Sequence, residues 1–432
     1  MKRLVSSSVA VCVLGLGLAH AQPDPTAPPP ASTESSPPAA TEPSPAQLPP
    51  AAPPVPLVSA PADGPTPGLA LPRESAIETP LSGTSGIVGS AFGGYGELTL
   101  NLPARGESIV DFRRFVLFFG HDFNEHLRFY SELEVEHAIS SASDRGEAEV
   151  EQGYLDGLFG KRFNLRGGLI LMPMGIVNVY HEPPSFNGVD RPDVDQVVVP
   201  STWREPGIGI FGELTEGLRY QLYVVNGFNA NGFSAEVALK DGHQEAQLAH
   251  AADAGAILRV DYEPVLGAVL GASAYGATSG NTLTETVGRV PVGMFDLDAR
   301  YQHHGLSARA ELAVVLIGDT EALNAALASG SAGPVSQRSQ GGYAELGYDV
   351  LRFAELTTEQ TLTAFTRFDY ADTQANVLGG IAPLERFRRT SQMVGVVYRP
   401  IAQVGLKLDV RRHWNGESRP FNELATAITW LF

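Results

Sequence analysis

The stretch IAQVGLKLDVRRHWNGESRPFNELATAITWLF, residues 401–432, decides the fold class. Successive side chains of a β-strand point to opposite faces, so alternation with a period of two predicts a strand with two unlike faces. The second half ends on Trp430 and Phe432, which a soluble domain rarely leaves in water, because exposed apolar surface costs about 25 cal/mol per Å². The first half alternates apolar with charged residues: Leu406, Lys407, Leu408, Asp409, Val410 and Arg411.

The same alternation continues upstream and predicts sixteen strands in all. Connections after even-numbered strands are mostly short, with a longer exception at Arg352 to Gln360 after strand 12. Those after odd-numbered strands are mostly longer, as in transmembrane barrels. The sequence therefore predicts an all-β fold, a sixteen-stranded antiparallel transmembrane β-barrel, while a soluble two-sheet sandwich would give the same alternation. The predicted strands are about 89–101, 110–122, 127–138, 146–159, 165–172, 204–214, 218–226, 254–263, 267–278, 291–303, 306–317, 340–350, 361–370, 388–399, 403–413 and 421–432.

The two ends of the chain favour the membrane barrel over the sandwich. Lys2 and Arg3 precede an apolar run and then Ala19-His20-Ala21, a pattern that predicts a signal peptide, 1–21, cleaved after Ala21. An aromatic Phe432 closing an alternating strand resembles the sorting signal recognised by the outer-membrane assembly machinery. We therefore predict export to the outer membrane of a Gram-negative cell, with the barrel formed by 87–432 and its apolar face against lipid.

A proline-rich segment lies between the signal peptide and the barrel. Within 23–80, 19 of the 58 residues are proline, which removes amide donors and favours solvated polyproline II over a packed core. We predict that 22–86 is a disordered periplasmic linker. A tether between the outer membrane and the cell wall is an alternative role for this segment and for the protein.

Composition excludes several classes of function. The chain has 48 Asp and Glu against 30 Lys and Arg, a formal net charge of −18, which argues against nucleic acid as a partner. The single Cys12 lies in the predicted signal peptide, so the mature chain has no disulfide framework and no thiolate metal site.

Local motifs predict no catalytic residues, no cofactor and no metal. The run His121 to His126 has the wrong spacing for a zinc protease and spans a predicted turn. Asp190, Asp193 and Asp195 lack the alternating ligands and the glycine of an EF-hand calcium loop. The chain is therefore predicted not to be an enzyme, with a barrel hydrolase as the alternative that spacing leaves open.

The stretch VEQGYLDGLFGKRFNLRGGLILMPMGIVNVYHEPPSFNGVDRPDVDQVVVPSTWREPGIGIFGEL, residues 150–214, resembles the phosphate-selective porin O/P family of outer-membrane porins. The resemblance covers about residue 87 to the C-terminus and implies a sixteen-stranded barrel that is commonly a homotrimer. It also implies that the long loop at about 173–203 folds inward and narrows the pore. The chain has four lysines, so the family's lysine ladder is not carried over. The implied constriction-loop residues are Tyr180, His181, Glu182, Asp190, Arg191, Asp193, Asp195, Trp203, Arg204 and Glu205.

Charged residues on the predicted inner face would line the pore. A barrel of sixteen strands is too wide for side chains to fill, so we predict a water-filled channel for passive diffusion of small hydrophilic or ionic solutes. Glutamates on strands 3 and 4 form an acidic wall that favours cations, unless the charges pair across strands and steer little. The predicted pore-lining residues are Arg128, Glu132, Glu134, Glu136, Glu147, Glu149, Glu151, Arg219, Arg259, Asp296, Asp298, Arg300, Arg309, Glu311, Arg367, Asp369, Lys407, Asp409 and Arg411.

The tripeptide Trp203-Arg204-Glu205 stands where the predicted loop returns to strand 6. It would either brace the loop against the barrel wall or form an ordinary ion pair at the rim. The sequence leaves these two roles open.

Overall fold

A computed structural model describes residues 89–139, 146–280, 283–327, 333–354 and 359–432. The predicted signal peptide and proline-rich linker lie outside the described residues. Among the residues described, no helix is long and apolar enough to cross a bilayer.

Sixteen antiparallel strands close into a barrel in which each strand pairs with its neighbours in sequence and β1 pairs with β16. The predicted fold is confirmed, and the strand bounds differ from the prediction mainly at β13, which is longer by several residues. The strands are β1 Ser90–Pro103, β2 Ile109–Asn124, β3 Leu127–Glu136, β4 Ala148–Leu158, β5 Asn164–Leu171, β6 Arg204–Thr215, β7 Leu218–Asn226, β8 Ala254–Val265, β9 Ala268–Thr278, β10 Pro291–His303, β11 Leu306–Ile317, β12 Arg338–Asp349, β13 Thr361–Asn376, β14 Arg388–Ile401, β15 Val404–Asn415 and β16 Phe421–Leu431.

Helical segments are short and lie in the connections. Within the described ranges three of them are α-helical: Val194–Val197, Thr284–Val287 and Thr320–Leu327. The 3-10 segments are Pro183–Ser185, Ala230–Gly232, Lys240–Gly242, Val350–Ala354 and Glu385–Phe387.

The two faces of each strand differ as the alternation predicts. On β10, Phe295 is 53% exposed and the next residue, Asp296, is 2% exposed; Leu297 and Asp298 repeat this contrast at 63% and 5%. The outward side chains are apolar, which suits contact with acyl chains, and the closed strand order leaves no unpaired sheet edge.

The short connections are tight hairpin turns. Between β10 and β11 the turn consists of His304 and Gly305, with φ of 50° and 81°. Two positive φ values in succession match the right-handed twist of the flanking strands. Such turns fix the register, so Asp298 lies opposite Glu311 and Arg300 opposite Arg309 on the inner face.

The barrel closes along the seam between β1 and β16. Gly94 and Phe432 exchange two backbone hydrogen bonds across this seam, of 3.0 and 2.8 Å. Tyr95 to Pro103 then pair in continuous register with Leu431 to Glu423.

Candidate functional site

The connection between β5 and β6, residues 172–203, folds into the barrel and is called the inner loop here. It contacts Glu151 of β4, since His181 Nε2 lies 3.1 Å from Glu151 Oε1, and Glu345 of β12, to which Asn187 donates a hydrogen bond of 2.9 Å. In a ring of sixteen strands, β4 and β12 stand on opposite walls. The inner loop therefore crosses the barrel, as the resemblance implies.

Asn178 closes the base of the inner loop. Its side-chain amide donates to the carbonyl oxygens of Met172 and Trp203, at 2.7 and 3.1 Å, and its Oδ1 accepts from Trp203 N at 2.7 Å. Nearby, a Cβ on Gly175, whose φ is +69°, would lie 2.7 Å from Glu311 Oε1. The chain therefore leaves the barrel wall at a position where only glycine allows the backbone to come so close to Glu311.

Apolar packing holds the base. Trp203 is fully buried, with its ring centroid 4.9 Å from that of Phe228 and 4.9 Å from that of Tyr275. Met172, Met174, Val194, Val198 and Val199 join this cluster from the inner loop. The wall contributes inward apolar side chains, which the sequence analysis did not separate from lipid-facing ones: Val225, Ile257, Val292, Met294, Ala313 and Val315.

Hydrogen bonds and ion pairs hold the tip, residues 179–193. Lys407 Nζ donates to the carbonyl oxygens of Pro183 and Gly188, at 2.7 and 2.8 Å, and lies 4.0 Å from the centroid of Phe186. Arg367 donates to the carbonyl oxygen of Asp190 at 3.0 Å while it pairs with Asp369. Polar side chains of the wall thus bind the backbone of the tip.

The acidic wall of β3 and β4 faces the other side of the tip. Arg114 of β2 lies 3.0 Å from Glu97 and 3.8 Å from Glu134. His181 of the inner loop lies 3.1 Å from Glu151 and 3.9 Å from Glu132. Three of the six glutamates of the predicted wall are therefore covered: Glu132, Glu134 and Glu151. The other three, Glu136, Glu147 and Glu149, lie at the end of the barrel that carries the long loops.

The predicted pore-lining residues of the strands lie on the inner face, but most of them are buried. The sequence predicted these charges in water, whereas the inner loop fills the space that they face. Arg259 shows the result, since it pairs with Asp261 at 2.8 Å and Asp298 at 2.9 Å and donates to Gly175 O at 3.2 Å. The buried members are Glu132, Glu134, Glu151, Arg259, Asp296, Asp298, Arg300, Glu311, Arg367, Asp369, Lys407, Asp409 and Arg411; Arg128, Glu136, Glu149, Arg219 and Arg309 are partly exposed and Glu147 is exposed.

The three loop aspartates point to different partners. Asp190 pairs with Arg113 at 2.9 Å, and Asp193 pairs with Arg411. Asp195 is buried beside Gly175, where a Cβ would lie 3.2 Å from its Oδ1. They do not form one calcium site.

The tripeptide at the end of the inner loop braces it. Arg204 pairs with Glu149 of β4 and lies 3.2 Å from Glu245. Glu205 accepts hydrogen bonds from Asn226 at 2.9 Å and from the backbone of Gln244 at 3.0 Å. These contacts join the loop's return to β4, to the end of β7 and to the connection between β7 and β8.

Several residues of the site were missed. Arg113 and Arg114 are adjacent in sequence, so strict alternation would send one of them outward, but a register shift between Glu97 and Thr99 lets both reach inward partners. Arg399 precedes a proline near a turn and was left out, although it donates to Pro184 O at 3.3 Å.

Burial and neighbouring charges shift pKa values in the inner loop. Burial opposes a charge on His181, but the carboxylates of Glu151 and Glu132 outweigh it and raise its pKa to about 9. Burial and then Asp296 raise the pKa of Asp195 to about 8. Burial raises the pKa of Asp190, but Arg113 and Arg411 outweigh it and hold that pKa below its usual value. His181 is thus protonated at neutral pH when no other cation neutralises the glutamates around it.

Tyr180 and Glu182 flank this histidine. The guanidinium of Arg300 lies 4.7 Å from the centroid of the Tyr180 ring. Glu182 has a buried Oε2 with no hydrogen-bond partner among the described residues, and burial raises the pKa of its carboxyl group. Arg191 donates to Thr202 at 2.9 Å, and burial together with Arg114 lowers its pKa to about 10.

A cavity of about 280 Å³ lies at the end of the barrel that carries the long loops. Asn101 and Arg113, which line it, also contact Asp190 of the inner loop. The remaining lining residues are Thr99, Pro103, Glu107, Ile109, Asp111 and Glu423.

An uncharacterised protein of Aquifex aeolicus is 34% identical over 354 residues, which cover 80% of each chain. No protein-family model matches the sequence.

Among solved structures, OmpF of Salmonella typhi is similar with a TM-score of 0.54 and 13% identity, over 79% of this chain and 97% of that one. An anion-selective porin of Comamonas acidovorans is similar with a TM-score of 0.50 and 12% identity, over 79% of this chain and 100% of that one. The outer-membrane channel DcaP of Acinetobacter baumannii is similar with a TM-score of 0.50 and 10% identity, over 79% of this chain and 97% of that one. At these identities the likeness establishes the barrel fold.

Proposed function

The chain belongs to the same family as the Aquifex aeolicus protein, and from its porin fold we propose that it is an outer-membrane channel for passive diffusion of small hydrophilic or ionic solutes. The inner loop sets which solutes pass. The proposal includes export by the signal peptide 1–21, insertion in outer-membrane lipid by the assembly machinery through Phe432, and a homotrimeric assembly.

The observation that carries the proposal is the inner loop that crosses a barrel with an apolar exterior. A barrel that served only as an anchor would not need a polar segment inside it. The charges of the wall hold this segment through exchangeable hydrogen bonds, which water and polar solutes can replace.

The cavity beside Asp190 is the proposed vestibule for solutes. Glu107, Asp111 and Glu423 face Arg113 there, so carboxylates outnumber guanidinium groups and favour cations. Phosphate preference does not follow from this arrangement, because the amine of Lys407 already donates to two carbonyl oxygens of the inner loop.

Planar-bilayer recording of the purified mature protein tests the proposal. We expect stepwise conductance and, in a potassium chloride gradient, a reversal potential with the sign of cation preference. The double variant Glu107→Gln/Glu423→Gln should lower that preference. The matched control is Glu216→Gln, a carboxylate in the short turn between β6 and β7 at the other end.

Absence of current from a folded, inserted barrel would contradict the channel proposal and favour the tether. An anion-selective current would contradict the role of the vestibule carboxylates. Block of chloride current by inorganic phosphate would support the phosphate selectivity of the porin O/P family.

A further inference from the structure

Three side chains from three separate segments meet where the tip of the inner loop reaches the acidic wall. Glu132 comes from β3, Glu151 from β4 and His181 from the inner loop, and one potential ligand atom of each lies within 4.8 Å of the others. The three residues are 4%, 0% and 2% exposed. This juxtaposition is sheltered from bulk water.

The atoms that face one another are not satisfied by hydrogen bonds. Both ring nitrogens of His181 and Oε1 of Glu151 are buried without a hydrogen-bond partner among the described residues. His181 Nε2 and Glu151 Oε1 lie 3.1 Å apart as an ion pair. A buried imidazole nitrogen beside a free carboxylate oxygen is a donor arrangement that a cation would complete.

Other groups hold the two carboxylates in place. Tyr130 and Gln152 donate to Glu132, the latter at 2.9 Å. Tyr95 donates to Oε2 of Glu151 at 3.3 Å and leaves its Oε1 toward His181. Hydrogen bonds of this kind orient the ligands of metal sites.

The charge around the cluster also favours a cation. The negative charges of Glu134 and Glu182, like those of Glu132 and Glu151, act on the buried side chain of Tyr95. Arg114 already pairs with Glu97 and Glu134. Carboxylates are therefore in excess, and either a proton on His181 or a metal ion can balance them.

We propose that Glu132, Glu151 and His181 bind a divalent first-row transition metal, with Zn²⁺ as the best-fitting ion. Imidazole nitrogen with carboxylate oxygens is a zinc donor set, at about 2.0–2.2 Å from the ion. Tetrahedral geometry then needs donor atoms roughly 3.3 Å apart, close to the 3.1 and 3.9 Å found here. The fourth position is left for water.

Binding joins β3 and β4 to the tip of the inner loop. Zinc would therefore fasten the tip to the acidic wall. Metal binding is measured without any current, so this proposal and the channel proposal can fail separately.

Zinc titration of the folded full-length mature protein, stripped with a chelator, tests the site. We expect about one Zn²⁺ per chain, and His181→Ala and Glu151→Gln should each weaken binding by about 10- to 100-fold. The matched control is His413→Ala, because His413 also pairs with a glutamate, Glu423, at 2.9 Å but has no second carboxylate in a metal-type group among the described residues.

Unchanged zinc binding in His181→Ala would overturn the proposal, and so would loss of binding in His413→Ala alone. If the variants do not fold, Co²⁺ is added to the unaltered protein. Visible absorption bands of a low-coordinate Co²⁺ site with imidazole are expected, and the weak spectrum of hydrated Co²⁺ alone would overturn the proposal.

Discussion

The base and the tip of the inner loop are held by different forces. At the base, Trp203 packs between Phe228 and Tyr275 in an apolar cluster. At the tip, Lys407 and Arg367 bind backbone carbonyl oxygens. Water cannot substitute for apolar packing, but it can replace a hydrogen bond at small net cost. Apolar packing therefore fixes the base of the loop, whereas the tip is held by exchangeable hydrogen bonds.

Truncation of the base should have the largest effect. Trp203→Ala removes a fully buried indole, and we expect a loss of about 3–5 kcal/mol in the free energy of unfolding. Denaturant titration of the barrel in lipid vesicles measures it. Trp414→Ala, a change at a half-buried tryptophan of β15, should cost less. Equal losses in the two variants would contradict the special contribution of the packing around Trp203 at the base.

At the tip, Lys407→Met should have an intermediate effect on stability. The change keeps an apolar stem beside Phe186 but leaves two buried carbonyl oxygens without their donor, which costs about 1–3 kcal/mol. We expect a larger single-channel conductance, because the tip loses its tie to β15. Lys161→Met, at an exposed position between β4 and β5, is the control. A conductance below that of the unaltered protein would contradict a releasable tip.

Asp190→Asn should have the smallest effect on stability. Asp190 and Arg113 are partly exposed, and such pairs contribute about 0.2–1 kcal/mol. Because the folded pKa of Asp190 lies below its usual value, its contribution is present above the unfolded pKa and is lost as the pH falls through the folded value.

The acid side of the stability profile, measured by unfolding at several pH values, should therefore be flatter in Asp190→Asn. Asp241→Asn, at an exposed position, should leave the profile unchanged. A steeper acid dependence in Asp190→Asn would show that the carboxylate is unfavourable in the folded barrel.

Alternation predicted the barrel because period two is a local property of each strand. Leu297 and Asp298 could be assigned to opposite faces without knowledge of any partner. The inner loop came from resemblance, not from periodicity. Its course decides which inward charges are covered, and that depends on long-range packing. For the same reason the inward Val292 and Val315 could not be told from lipid-facing residues, and the register shift at Glu97 concealed the roles of Arg113 and Arg114.

The seam between β1 and β16 has a consequence for assembly. It pairs the first strand of the barrel with the last. Closing the barrel therefore brings together residues far apart in sequence, which is entropically costly and slow. Until the seam forms, β1 and β16 are edge strands whose unpaired N–H and C=O groups can pair with a strand of another chain. An unfinished barrel therefore exposes two unpaired edges at once, and a substitution that slows strand pairing at Gly94 should raise aggregation without altering the finished barrel.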